Sequence, residues 1–381
     1  MSKAEYWIWL SMALGAGARV DEILEAWPEP EALYNENRTA RIISGVFTRQ
    51  KLDKLEKADL KDALNAVEVC KKNGWHIVTP DMSEYPENLR KIPDRPLVLF
   101  VDGNIECLKN KIAIGVVGTR NPTYDSVAIA KKLSGEMARS GAVVVSGGAL
   151  GIDASAHEGA LEAGGVTVCV LGCGLGTRYL MENDAMRREI TKNGAVITEY
   201  IPFCPASRTT FPVRNRIISG ISMGTLVVEA GEKSGSLITA RFAAEQGRDV
   251  FAVPGSILVS SYSGVNRLIR DGARPVTSAA DILAPYSVMY PDLINSDNIS
   301  GELPKAEKRH GDKKIKAKAV APKGVSADAV KVYEIMGDEP VHTDEICEKG
   351  GLPASLVMAA LMELELSGAV MQGEGKTWNR I

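Results

Sequence analysis

Between Lys111 and Pro285 the chain alternates short apolar runs with amphipathic stretches of helical period. In order they are IAIGVV, AIAKKLSGEMARSG, AVVVSG, ASAHEGALEAGG, VTVCVLG, MRREITKNG, AVITEY, TLVVEA, LITARFAAEQG and DVFAVPG. Runs that are apolar at every position, rather than at every second one, are strands buried on both faces, which calls for a parallel sheet. The helical stretches between them supply the right-handed crossovers that parallel neighbours require. The predicted core is α/β, a Rossmann-like doubly wound, mainly parallel sheet.

The flanks read differently. From Met1 to about Trp75 the apolar spacing is helical and ends at Gly74, a residue suited to stopping a helix, so residues 1–78 form a small helical domain of the SAM or helix-hairpin-helix kind. A proline-marked connector with a strand-like LVLFV run leads into the core, which spans 79–285. Residues 286–323 lose apolar periodicity and collect Lys305, Lys308, Arg309, Lys313, Lys314, Lys316, Lys318 and Lys323. They read as a flexible basic linker, either a solvated tether or a segment that touches nucleic acid. In residues 324–381 three helical stretches precede two short strands around a glycine turn, a winged-helix-like plan. Its third helix has no Arg or Lys and carries Glu363 and Glu365, which leaves protein contact and groove reading both open.

Composition narrows the function classes. The formal net charge of −3 and a pI near 6.0 give no global attraction for nucleic acid, so any such contact has to come from local patches. The opening run MSKAEYWIWLSMALGAGARV fits an amphipathic helix better than a signal peptide, and no apolar stretch reaches membrane-spanning length. A cytoplasmic chain without membrane contact is expected. Cysteines 70, 107, 169, 173, 204 and 347 form no CxxC pair and have no His at ligand spacing, so they read as reduced thiols rather than a metal site.

In an open parallel sheet, ligands gather where strands end and helices begin, because the turns there expose backbone N–H groups. Four glycine turns fall at such points: Gly118-Thr119-Arg120, Ser146-Gly147-Gly148, Gly172-Cys173-Gly174 and Ser234-Gly235-Ser236, the last preceded by Lys233. A second concentration lies in ASRTTFPVRNRIISG, where Arg208, Arg214, Asn215 and Arg216 occur with no Asp or Glu between Pro202 and Val228. Exclusion of carboxylates is what a groove tracking phosphates requires. The competing reading pairs Arg214 or Arg216 internally with Glu229 or Asp153. Phe211, Tyr124 and Phe203 are candidate stacking faces.

Catalytic readings find little support. Asp153 and His157 stand one helical turn apart, but Asp153 suits an N-cap and His157 suits local packing. The GCGLGT run has Thr177 in place of the third glycine of a dinucleotide fingerprint, and no GxxxxGK[ST] loop occurs. Neither a catalytic residue nor a cofactor is expected.

The motifs VVGTRNPTYD, SGGALGIDASAHEGAL, FPVRNRIISG, VVEAGEKSGSLITARFAAEQGRDVFAVPG and GVNRLIRDGA, spread over Tyr85 to Leu283, resemble the ordered motif series of the DprA/Smf family. The resemblance implies a homodimeric, non-enzymatic protein that binds and protects single-stranded DNA and helps load RecA recombinase, particularly in natural transformation. It implies that the Gly118–Arg120 turn, the Arg214-Asn215-Arg216 segment and the Lys233–Ser236 loop form the DNA groove. The chain departs from the family pattern at Asp125, Leu150 and Leu180, where Gly, Arg and Pro are usual. The rival reading is a nucleotide-binding or nucleotide-cleaving protein similar to the LOG-type phosphoribohydrolases, whose PGGxGTxxE loop bears a catalytic Glu. Here that loop reads SGSLITA, with Thr239 about where the acid would stand.

Overall fold

The computed structural model describes residues 3–295, 325–336, 341–373 and 377–380, and the chain divides into two units, Met1–Pro304 and Lys305–Ile381. From residue 296 onward the segment read as a basic linker lies outside the described residues.

The described residues of the first unit contain nine strands. In chain order these are His76–Val78 (β1), Leu99–Gly103 (β2), Ala113–Val117 (β3), Val143–Ser146 (β4), Thr167–Val170 (β5), Ala195–Thr198 (β6), Gly224–Val227 (β7), Asp249–Ala252 (β8) and Arg274–Pro275 (β9). They form one sheet in the order β1-β2-β6-β5-β4-β3-β7-β8-β9. All pairings from β6 to β9 are parallel, and β2 pairs antiparallel with both β1 and β6. Every residue of β3, β4, β5, β6 and β7 is buried, which is why those runs are apolar throughout. The sequence reading missed β1 and β9, whose three and two residues are too few to show a period.

From β3 the chain steps outward through β4, β5 and β6, then returns to place β7 on the other side of β3. The crevice beyond the carboxyl ends of β3 and β7 is therefore the topological switch point. Helices Thr210–Ile221 and Ser236–Glu245 cover one face there, with Ile217, Ile218 and Ala240 in the core beneath them. On the other face Leu133, Ile152 and Tyr286, from helices Tyr124–Arg139, Ile152–Glu162 and Ala279–Met289, pack onto Ile114 and Val144.

Six short helices between Ala4 and Asn73 precede the sheet, the last ended by Gly74 in the left-handed region at φ 71°. Their buried Trp9, Leu10, Leu33 and Leu55 share one core with Phe100, Cys169 and Val196 of the sheet. Cys169 and Cys173 are buried free thiols, in keeping with small core residues. No group of His, Cys, Asp and Glu among the described residues could hold a metal ion, and no described helix is long and apolar enough to cross a membrane.

The second unit is a winged helix. Helices Ala327–Ile335, Thr343–Gly350 and Ala354–Leu366 pack around Val332, Ile346, Leu361 and Trp378. Beside them Val341–His342 (β10), Val370–Gln372 (β11) and Thr377–Arg380 (β12) form a small antiparallel sheet in the order β10-β12-β11.

Candidate nucleic-acid interface

A cavity of about 360 Å³ opens at the switch point, and eight of the seventeen residues singled out in the glycine turns and the arginine segment line it. From the turn after β3 come Gly118 and Arg120. The helix Thr210–Ile221 and the segment before it supply Arg208, Arg214 and Asn215, and the loop after β7 supplies Ser234, Gly235 and Ser236. Gly118 has a packing reason for its identity: a Cβ there would stand 2.5 Å from the Ile152 side chain, so the turn and the helix that follows β4 could not close together.

The cations divide by exposure. Arg120 and Arg208 are exposed, and neither forms a salt bridge with a carboxylate among the described residues, although Arg120 acts on Asp153 at longer range. The Arg120 guanidinium stands 5.3 Å from the centre of the Phe211 ring, so the two present a charge and an aromatic face together at the mouth. Lys233 is exposed as well and lines an adjoining cavity of about 780 Å³, which shares Ser234 and Ile238 with the first. Gly235 precedes the helix Ser236–Glu245, whose first turn has no acid, and the space beside its Cα is open. The amides of Ser234, Leu237 and Ile238 go to backbone carbonyls and that of Ser236 to Ser234 Oγ at 3.4 Å, so the positive end of the helix, rather than a set of open amides, meets the cavity. The Ser234 and Ser236 hydroxyls lie 2.8 Å apart, and Asn215 Nδ2 donates to the Gly235 carbonyl at 3.3 Å, holding the loop in place. Thr119 shapes the turn: its amide donates to the Glu229 carbonyl at 2.8 Å, and its hydroxyl accepts from Asn121 N.

Arg214 forms the floor. It is buried, and its Nη1 donates to the carbonyls of Gly147, at 2.7 Å, and Val170. Burial lowers its basicity, and the Asp153 carboxylate opposes that shift. Asp153 is likewise buried. Burial raises its pKa, while Arg214 and the amides of Ala149 and Gly147 pull it back. A Cβ on Gly147 would strike both Arg214 Nη2 and Asp153 Oδ2.

Three readings need correction. Arg216 is absent from the groove: it is buried, grips Glu199 through both terminal nitrogens and also faces Asp94. Arg214 and Arg216 are two positions apart on a helix, hence about 200° apart around its axis, so they cannot line one groove. The partner of Arg216 is Glu199, not the Glu229 or Asp153 considered from the sequence. Glu229 instead accepts from the Thr123 amide and hydroxyl at 2.8 and 3.0 Å. Burial raises its pKa, but these bonds and one from Ser261 outweigh that and hold it low.

The second correction concerns the Ser146-Gly147-Gly148 turn, which offers no anion site. The Ser146 hydroxyl donates to the Val116 carbonyl, and the Gly148 carbonyl accepts from Asn183 Nδ2. The Gly147 amide, with that of Ala149 just beyond the turn, already serves a carboxylate of the protein itself, Asp153. Third, Asp153 is the second residue of its helix, reaching back to the turn, and Gly151 holds the cap position. His157 is buried, with Nδ1 at 2.7 Å from the Thr167 hydroxyl. The Gly172–Gly174 turn borders a different cavity of about 260 Å³, beside Trp75 and Arg187. Tyr124 and Phe203 are exposed but line no part of the switch-point cavity, whereas Phe211 does, backed by Tyr179 at 5.3 Å. Asn183 and Tyr179 carried no signal in the sequence, since their roles rest on contacts across the fold.

These features define a class: a doubly wound sheet with a cationic switch point at a helix N-terminus and a winged helix after it. A family model for DNA recombination-mediator protein A matches residues 76–287, and one for the DprA winged helix domain matches residues 316–376. The chain is 42% identical over 212 residues to the DNA processing protein DprA of Bacillus subtilis, a match that covers 56% of this chain and 71% of that one. The X-ray structure of DprA from Streptococcus pneumoniae superposes with a TM-score of 0.63 at 33% identity, covering 74% of this chain and 98% of that one. A structure of DNA processing protein A from Helicobacter pylori, reported for its single-stranded DNA binding mode, superposes with a TM-score of 0.52 at 28% identity over 57% of this chain and 97% of that one. The chain belongs to the DprA/Smf family of DNA-processing, recombination-mediator proteins.

Proposed function

We propose that this protein binds single-stranded DNA at the switch-point cavity, shields the strand, and helps deliver it to RecA recombinase, acting as a homodimer without turning the nucleic acid over. The observation that carries the reading is the convergence of Arg120, Arg208 and the Gly235–Ser236 helix start on one cavity whose single carboxylate, Asp153, is occupied by backbone amides and faced by Arg214. Phosphates meet Arg120, Arg208, Lys233 and the positive end of the helix, and an unstacked base lies on Phe211. Arg214 adds positive potential from below while its Nη1 donors stay committed to carbonyls. The absence of cleavage is supported by Thr239, which lines the cavity about where cleaving relatives of the fold carry a Glu. The Helicobacter protein's reported single-stranded binding mode supports the choice of ligand.

The test compares fluorescence anisotropy of labelled oligo(dT), a duplex of equal length and a free nucleotide across a salt series. The expected result is preference for oligo(dT), with log K falling by about 0.7 per bound phosphate for each decade of salt. Equal or tighter binding of the free nucleotide, or release of a product from it, would replace this reading with the nucleotide one.

A further inference from the structure

The third helix of the winged-helix unit, Ala354–Leu366, is apolar on both sides. Val357, Ala360, Leu361 and Leu364 face the core of the unit. On the opposite side Met358, Met362 and Leu366 follow one another at four-residue spacing, 37%, 59% and 91% exposed, and Met371 on β11 is exposed as well. A helix that is hydrophobic all round is one that something covers. We propose that this Met358–Met362–Leu366 stripe is a docking site for a basic amphipathic helix of a partner protein.

Charge selects the occupant. Residues 325–381 contain ten Asp and Glu against four Lys and Arg. Within Ala354–Leu366 the charged residues are Glu363 and Glu365 alone, and Glu363 is tied to the Ser326 amide and hydroxyl. Against this helix, whose own charges are both negative, a phosphate backbone or a second copy of the same helix meets like charge. An amphipathic helix with Lys and Arg along the edges of its apolar stripe satisfies both demands. Its aliphatic side chains lie against the methionines, which adapt to irregular partners, and its cations face Glu365.

The test uses the full chain and two labelled synthetic peptides in the same helical register, one of Leu and Lys and the other of Leu and Glu. The Leu/Lys peptide is expected to bind, and the Leu/Glu peptide is not. Met362→Asp and Leu366→Asp are each expected to weaken the Leu/Lys peptide at least tenfold, while Met362→Leu retains it. This sign is diagnostic: an added carboxylate strengthens a purely electrostatic attachment, so a weaker complex reports apolar packing. Both positions are exposed, so thermal melting and oligo(dT) affinity of the variants are expected to match the parent chain, which separates this site from the switch-point cavity. Four results would overturn the proposal. They are undiminished peptide binding by the Asp variants, equal binding of both peptides, duplex DNA binding that Met362→Asp removes, and self-association that Met362→Asp removes.

Discussion

Arg216 meets Glu199 through two parallel hydrogen bonds of 2.6 and 2.7 Å, and both side chains are almost wholly buried. The pair joins the helix Thr210–Ile221 to the end of β6, and Arg216 Nε also donates to the Asp94 carbonyl at 3.0 Å. Removing one member strands a buried charge. Arg216→Met is therefore expected to destabilise the fold by about 3–5 kcal/mol in chemical denaturation, and Arg216→Met with Glu199→Met is expected to recover much of that stability. An unchanged denaturation midpoint in the single variant would contradict the structural role assigned to Arg216.

Arg120 is the opposite case, exposed and without a salt bridge to a carboxylate among the described residues. Arg120→Ala is expected to leave the melting temperature within a degree or two of the parent's, since exposed substitutions change stability by only about 0.5 kcal/mol. Oligo(dT) binding is expected to weaken, and the salt slope to drop by about 0.7 because one phosphate is no longer neutralised. A slope that does not move would remove Arg120 from the DNA path.

Phe211 is assigned a stacking role and carries no charge, so its signature differs. Phe211→Ala is expected to cost about 1–3 kcal/mol of oligo(dT) affinity with the salt slope intact, and Phe211→Tyr to retain most of it. Parallel titrations of both variants at two salt concentrations make the comparison.

Leu150 stands where the family usually has Arg, on the loop whose neighbour Ala149 lines the cavity, and it is 40% exposed. Leu150→Arg adds a cation at that rim without disturbing the core. Tighter oligo(dT) binding and a salt slope steeper by about 0.7 are the expected outcome. Unchanged affinity would mean that the strand passes this loop at a distance.

His157 sets a pH dependence of stability. The Thr167 hydroxyl donates to the Val144 carbonyl, so it accepts from His157, which fixes the neutral ring with its proton on Nδ1. Burial, with Arg214 adding to it, lowers the His157 pKa to about 3 from the ordinary 6.5. Between those values the unfolded chain binds a proton that the folded chain refuses, so stability is complete above 6.5 and declines as pH falls toward 3. The slope approaches about 1.4 kcal/mol per pH unit for one proton. Denaturation curves at about pH 7 and 5, a range above the usual carboxylate titrations, are expected to show this decline in the parent chain and a smaller one in His157→Gln.

Local chemistry in the sequence determined the parallel sheet, its crossover helices, the winged helix and the rim carrying Arg120, Arg208 and Gly235. Strands buried on both faces leave an unbroken apolar signature, and anion-holding turns need glycine and a cation within a few residues. Which cations remain free was decided only in three dimensions. Arg214 and Arg216 look alike in FPVRNRIISG, yet the turn of one helix sends the first under the cavity and the second to Glu199, seventeen residues away in the chain. The Gly147 turn looks as open as the others until Asp153 reaches back to the amides of Gly147 and Ala149. Whether a charge is available depends on the distance to its nearest opposite charge, and tertiary packing alone sets that distance.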